Sequence, residues 1–469
     1  MPGIVSYGAY VPYWRLSRGA ITGALGSGGG RGTRSVASFD EDTTSLGVEA
    51  ARVALRSAPD GVSPSDVYFS TTSPAYQDKT NATAIHAALA LPSHVGAYDL
   101  VGSVRSNVAA CGVGGAAGGL VVLSDIRTGL PGGSDESSGG DAGVALLFAD
   151  GPDVLAETIG GGSATDEFVD RWRTPGAPYS KQWEERFGEH AYVPLADEAV
   201  AAALKAANLS VEDLDHVVVA GLPSRAVAAV KKSLGAKSGA LADDLTAEIG
   251  NTGSAHAALV LCDVLDRAEP GQTIALIQLS DGCDVWLLRT TPALATYRRT
   301  TTVREQIAAT RDDLSYAAFL TWRGFLDREP PRRPEPDRPA APPSLRRNDW
   351  KYGLIGTRDE RGFVHLPPSR VSMGTGAIDQ MTEVRMADVP ATIATYTVDR
   401  LAYSLSPPVV GAVIDFDGGG RFQCELTDVD PEKVQIGDRV EMTFRRLYTQ
   451  DGVHNYFWKA RPVRGSKEA

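Results

Sequence analysis

One architecture occurs twice in this chain, and that repeat constrains the fold more than any other feature. Val48 to Leu55 has the period of an amphipathic helix, and a turn follows at Ser63-Pro64-Ser65-Asp66. The apolar run Val67-Tyr68-Phe69-Ser70 then reads as a strand ending in a loop at Ser73-Pro74. The same order returns in Glu198 to Leu204, Ser210 to Asp213, Val217-Val218-Val219 and Leu222-Pro223. A second pair matches as well. Gly115 to Asp125 resembles Gly253 to Asp263, each a small-residue helix followed by a loop and an apolar strand, Ala142 to Phe148 and Thr273 to Leu279. Two matches in one order predict a duplicated β/α fold. Side chains this small let a helix approach its neighbours, so both helices are expected in the buried middle of the molecule.

The chain is 469 residues long, enough for about two or three domains. The sharpest boundary is Glu329 to Pro343, where seven prolines are interspersed with charges and favour an extended spacer. Short alternating runs separated by turn signals follow from Trp350. With 43% hydrophobic and 22% charged residues the composition is that of a globular protein. A net charge of −12 argues against a nonspecific grip on nucleic acid or an anionic membrane. No apolar stretch approaches a membrane span, and the amino terminus lacks a signal-peptide pattern, so a soluble cytoplasmic protein is expected. Cys111, Cys262, Cys283 and Cys424 are far apart, which shows neither a disulfide framework nor a zinc clip.

Five stretches then carry a family likeness: Ser45 to Ala51, Gly140 to Leu147, Arg186 to Tyr192, Ile249 to Ser254, and Ser280-Asp281-Gly282-Cys283-Asp284. In order and separation they resemble the thiolase superfamily, specifically 3-hydroxy-3-methylglutaryl-CoA synthase and ketoacyl synthase III. The resemblance implies a duplicated five-layer αβαβα domain over residues 1–295, a homodimer, and acyl-CoA as substrate or ligand with no further cofactor. It also implies a Cys nucleophile at a helix amino terminus, a His, and an acid, and here the pattern breaks. Gapless placement of Tyr98 to Asn107 puts Val104 where Cys belongs, with Ser103 beside it. Gly221 stands at the His, and Ser70 to Pro74 contains no carboxylate. Asn251 remains as a polarising residue, and the Gly282 amide as an oxyanion donor. Ser103 and Cys283 are the substitute nucleophiles to consider, and Tyr192 the acid or base. His256 is expected to point away from Asn251, about 140° around one helix at 100° per residue.

After a helical and Pro-rich connector, 296–348, residues 349–376 resemble the zinc ribbon of the acyl-CoA-associated OB-fold family, and 377–469 its small β-barrel. The ribbon's Cys positions hold Arg358, Arg361, Ser372 and Thr375, none of which supplies a thiolate, so no metal is expected. A helix between Asp313 and Leu326 is expected to meet a thiolase-like partner protein, to pin the tail to the first body, or both. Two functions stay open. One is carbon–carbon bond formation or cleavage on CoA thioesters in lipid metabolism, as an acyltransferase or by Cys-independent aldol chemistry. The other is a non-catalytic acyl-CoA-binding scaffold for a partner thiolase.

Overall fold

A computed structural model describes residues 2–464; residues 465–469 of the expected barrel domain lie outside it. The chain forms two compact units. The first comprises residues up to 37, 49–82 and 93–316; the second takes 38–48, 83–92 and everything from 317 onward. A single domain over 1–295 therefore does not describe the packing, because two early segments join the second unit.

The first unit is built on nine strands. These are β1 (Gly3–Tyr10), β2 (Asp66–Thr71), β3 (Gly96–Val101), β4 (Leu120–Ile126), β5 (Asp141–Ala149), β6 (Ala156–Ala164), β7 (His216–Gly221), β8 (Thr273–Leu279) and β9 (Cys283–Thr290). Their order is β7-β8-β9-β6-β1-β5-β4-β2-β3. Read outward from the centre, the first half runs 1-5-4-2-3 and the second 6-9-8-7. The missing fifth member is a bridge of Leu241 beside Val217, parallel as β3 is to β2. The duplication is thus visible strand by strand. The halves join where Ile4 of β1 pairs with Ala156 of β6.

Period-two alternation builds the layers. In β7, Val218 and Ala220 face one core with helix α5 (His256–Leu265), while Val217 and Val219 face another with helices α3 (Glu185–Ala207) and α4 (Ser224–Ser233). Every residue of α5 is buried, as expected for the central small-residue helix. Its counterpart is expected from the sequence at Gly115 to Asp125, but Leu120–Ile126 there is strand β4; the helix is α2 (Ser106–Ala117), of which only Asn107, Ala110 and Gly114 are buried. The small side chains of α2 leave a cavity of about 550 Å³ facing Ala258 and Leu261 of α5 instead of closing onto it.

The second unit contains a three-stranded ribbon and a barrel. The ribbon strands are β10 (Ile355–Arg358), β11 (Val364–His365) and β12 (Thr382–Arg385). The closed barrel comprises β13 (Ala391–Asp399), β14 (Val409–Phe416), β15 (Arg421–Leu426), β16 (Arg439–Gln450) and β17 (Val453–Pro462), in the order β13-β14-β15-β17-β16. Strict alternation of half-buried and buried residues along β14 shows why it closes. Trp322 of short helix α6 (Tyr316–Trp322) makes a contact inside the second unit, its indole donating to the Leu405 carbonyl at 3.0 Å. Among the described residues no helix is long and apolar enough to cross a membrane.

Candidate active site

Strand β3 ends at Val101, and a short bend carries the chain through Ser103, Val104 and Arg105 into α2. Arg105 fixes the facing β8–β9 turn. Its Nε donates to Asp284 at 2.8 Å, and its Nη1 donates to the Asp281 carbonyl at 2.6 Å. The turn itself needs a left-handed residue, supplied by Asp281 at φ 47°, followed by Gly282 at φ 134°. Asp-Gly is a favoured pair for so tight a hairpin. From the other side the Asp281 amide donates to the Tyr192 hydroxyl at 3.1 Å.

These elements enclose a cavity of about 290 Å³ at the position expected for the nucleophile. Ser103, Val104, Thr72 and Tyr192 line it with Asp170, Asp281, Arg127, Arg171 and Arg173. Burial pushes the Tyr192 hydroxyl well above the ordinary tyrosine range, and the Asp170 carboxylate adds to the rise. Asp281 keeps solvent access, yet desolvation and Asp170 together push its carboxyl up, with Arg105 opposing. The cavity therefore holds a persistent hydroxyl donor beside an unusually basic carboxylate.

A second cavity of about 300 Å³ adjoins it, sharing Arg127, Arg171 and Leu222, and this one contains Asn251. Asn251 is held by a close approach of two glycine segments. Its amide donates to Ser138 at 2.8 Å, and Gly140 donates to its carbonyl at 2.9 Å. A Cβ at Gly140 would collide with the Ile249 carbonyl, so only glycine fits. The Asn251 side chain donates to the Gly221 carbonyl at 2.8 Å and accepts from the Gly253 amide at 2.9 Å. One amide hydrogen remains for a ligand. His256 also lines this cavity, contrary to the helical-wheel expectation. Asn251 precedes the helix: a 3₁₀ turn, Gly253–Ala255, intervenes before α5, and the angle per residue does not apply. Burial pulls the His256 pKa down to about 4, leaving a neutral imidazole.

Of the five expected site residues, then, Ser103 and Tyr192 meet in one cavity and Asn251 lies in the next. Gly282 and Cys283 line neither. Cys283 is buried at the start of β9, paired with Leu279, and burial pushes its thiol up to about 12. Cys111 is pushed to about 12 for the same reason. Neither is a poised nucleophile. Gly221 has a steric cause as well: a Cβ there would lie 2.8 Å from the Leu279 carbonyl and 2.9 Å from its Cβ. A histidine at 221 has no room. The sequence reading missed Arg127, Arg173, Asp170 and Asp281, although Asp281 sits inside a motif it had singled out.

The residues of the ribbon do not fit the zinc that the family resemblance implies. Asp359 accepts from the amides of Arg361 at 3.0 Å and Phe363 at 2.8 Å, and from the Ser372 hydroxyl. Ser372 in turn accepts from Gly374 at 3.1 Å and Thr375 at 3.0 Å. A carboxylate–hydroxyl hydrogen bond joins the two knuckles that thiolates and a metal would otherwise tie.

Comparison with known proteins agrees with this geometry. Residues 383–445 match the family described as ChsH2, C-terminal OB-fold domain. Residues 204–285 match 3-oxoacyl-[acyl-carrier-protein] synthase III, C terminal. The hydroxymethylglutaryl-CoA synthase of Archaeoglobus fulgidus is 30% identical over 347 residues, covering 69% of this chain and 98% of that protein. That of Aeropyrum pernix is 31% identical over 345 residues, covering 69% and 94%. Among solved structures, a hydroxymethylglutaryl-CoA synthase complexed with CoA superposes with a TM-score of 0.58 at 18% identity, over 68% of this chain and 89% of that one. The 3-oxoacyl-(acyl carrier protein) synthase III of Pseudomonas aeruginosa gives 0.55 at 21%, over 62% and 98%. The first unit is thus a duplicated thiolase fold and the second carries an OB barrel. With its strand order, its motifs and these relatives in agreement, the chain belongs to the hydroxymethylglutaryl-CoA synthase family.

Proposed function

We propose that this protein makes or breaks a carbon–carbon bond on an acyl-CoA by aldol or retro-aldol chemistry, without an acyl-enzyme. One observation carries the reading: the cavity at the nucleophile position holds an acid–base pair and a valine. The names of the curated relatives and of the CoA-bound structure support CoA thioesters as the ligand class. In the cleavage direction, Asp281 takes the hydroxyl proton of a 3-hydroxyacyl-CoA. The Cα–Cβ bond then breaks to give a carbonyl compound and a thioester enolate, which regains a proton at Cα. Tyr192 donates a hydrogen bond to the oxygen that changes charge. The pantetheine arm enters through the Asn251 cavity, where the free amide hydrogen of Asn251 meets the thioester carbonyl. Synthesis is the reverse sequence.

A homodimer is part of this reading. Edge strand β3 presents Tyr98 at 52% exposure and Val101 at 40%, an open apolar edge suited to pairing with a second copy. A monomeric mass in solution would contradict it. Four free thiols fit a reducing compartment such as the cytoplasm. The second reading, a scaffold for a partner thiolase, draws on the lost nucleophile and on the match to an OB-fold domain. Incubation with a panel of 3-hydroxyacyl-CoAs separates the two. Turnover by the isolated chain supports the first, and binding with no turnover supports the second.

A further inference from the structure

We propose that His256 is a second hydrogen-bond donor to the thioester carbonyl, acting from the wall of the cavity that holds Asn251. This rests on the acyl-CoA reading above. His256 stands two positions past the motif Ile249 to Ser254, outside every stretch that carries the family likeness. It is 2% exposed, opens the buried helix α5 and lines the cavity.

Two consecutive backbone amides orient both side chains. The Thr252 amide donates to His256 Nδ1 at 3.3 Å, and the Gly253 amide donates to Asn251 Oδ1 at 2.9 Å. An amide N–H can only donate, so Nδ1 is the acceptor and the ring proton sits on Nε2. Nε2 has no hydrogen-bond partner among the described residues. A buried N–H left without a partner is costly, and an acceptor brought into the cavity relieves that cost. Asn251 likewise keeps one amide hydrogen after serving the Gly221 carbonyl. The backbone thus takes the acceptor atom of each side chain and leaves each a donor hydrogen for a ligand. A thioester carbonyl oxygen is such an acceptor, and it gains negative charge when the enolate forms. The charged groups acting on the ring are Asp244 and Lys231, and they are paired with each other at 2.6 Å. Asp244 also takes the Thr246 hydroxyl at 2.5 Å. Burial keeps the imidazole neutral, with a pKa of about 4. A neutral imidazole polarises the carbonyl without surrendering its proton, and Tyr192 and Asp281 in the adjoining cavity keep the acid–base work.

Infrared difference spectroscopy on the full chain tests this with butyryl-CoA isotope-labelled at its thioester carbonyl. Two donors should move the bound carbonyl stretch to lower wavenumber than in free butyryl-CoA. His256→Leu, which keeps the bulk and removes the donor, should lose part of that shift. His256→Gln, whose amide can donate, should restore some of it. For a 3-hydroxyacyl-CoA, kcat of His256→Leu should fall by about 10²–10³-fold, the worth of one such donor, with KM little changed. Calorimetry with butyryl-CoA controls for folding. A carbonyl stretch identical in the native protein and His256→Leu overturns the inference. Loss of butyryl-CoA binding in both variants overturns it too, because the imidazole then serves the structure of the cavity. If the native chain binds neither butyryl-CoA nor free CoA, the acyl-CoA reading falls, and this inference with it.

Discussion

Replacing Arg445 by Met is expected to destabilise the barrel unit by about 3–5 kcal/mol, the usual cost of stranding buried carboxylates. Arg445 is fully buried and bonds Asp428 at 2.6 Å, Glu41 at 2.9 Å and Asp40 at 3.2 Å. Lys459 adds bonds to Asp40 at 3.0 Å and Glu425 at 2.8 Å. Removing the central cation takes one partner from each of three buried acids, leaving Asp40 with Lys459 and Asp428 with Arg464. Burial alone would raise the Asp40 pKa, but Lys459 and Arg445 reverse this and hold it well below the usual carboxylate range. For Lys459, burial alone would lower the pKa, and Asp40 and Glu425 turn it into a net rise. A depressed acid stabilises above its unfolded value of about 3.9, and that contribution is lost as pH falls. A raised lysine stabilises below about 10.4, and that contribution is lost as pH rises. Chemical denaturation of the full chain should show a plateau between these limits that drops in Arg445→Met. A change below about 0.5 kcal/mol, typical of neutral surface substitutions, would show that the network contributes nothing.

Tyr192→Phe is expected to lower turnover of a 3-hydroxyacyl-CoA by roughly 10²–10⁴-fold, the ordinary worth of a positioned proton donor or acceptor. Asp281→Asn should have a similar effect. A structural role for either residue predicts less activity at every pH, whereas the acid–base role predicts a changed profile. Because the Asp281 carboxyl is raised, kcat/KM in the native protein should climb with pH through a limb above the ordinary aspartate range. In Asp281→Asn the residual activity should lose that limb. Retention of the limb would assign it to another group.

The duplicated body was legible because each half repeats a helix pattern, a turn and an apolar strand, and those periods survive in sequence. Leu241 escaped notice because one bridging residue has no period at all. The unit boundary was not legible for a different reason. Asp40, Glu41 and Asp42 carry no sequence pattern that announces burial, yet they are buried and belong to the barrel unit, matched there by Arg445 and by the Tyr456 hydroxyl. Sequence shows a charge but not its counterion. At the site the losses at Val104 and Gly221 were readable position by position. The gains were not, because Arg173 lies between two paired two-residue strands, Arg171–Trp172 and Lys181–Gln182, too short to show a period in sequence. Cys283 misled because its motif borders the site while its side chain turns into the core.

On the proposed function, this cavity handles acyl-CoA without covalent capture. Val104 has no lone pair, the Cys283 thiol sits near pKa 12, and Leu279 fills the space of a histidine at 221. Ser103 shares its cavity with carboxylates and arginines but no imidazole among the described residues. Intact-mass spectrometry after incubation with acetyl-CoA measures this directly. The expected result is the unmodified mass of the chain. A stable acetyl adduct mapped to Ser103, or one mapped to Cys283, would contradict it.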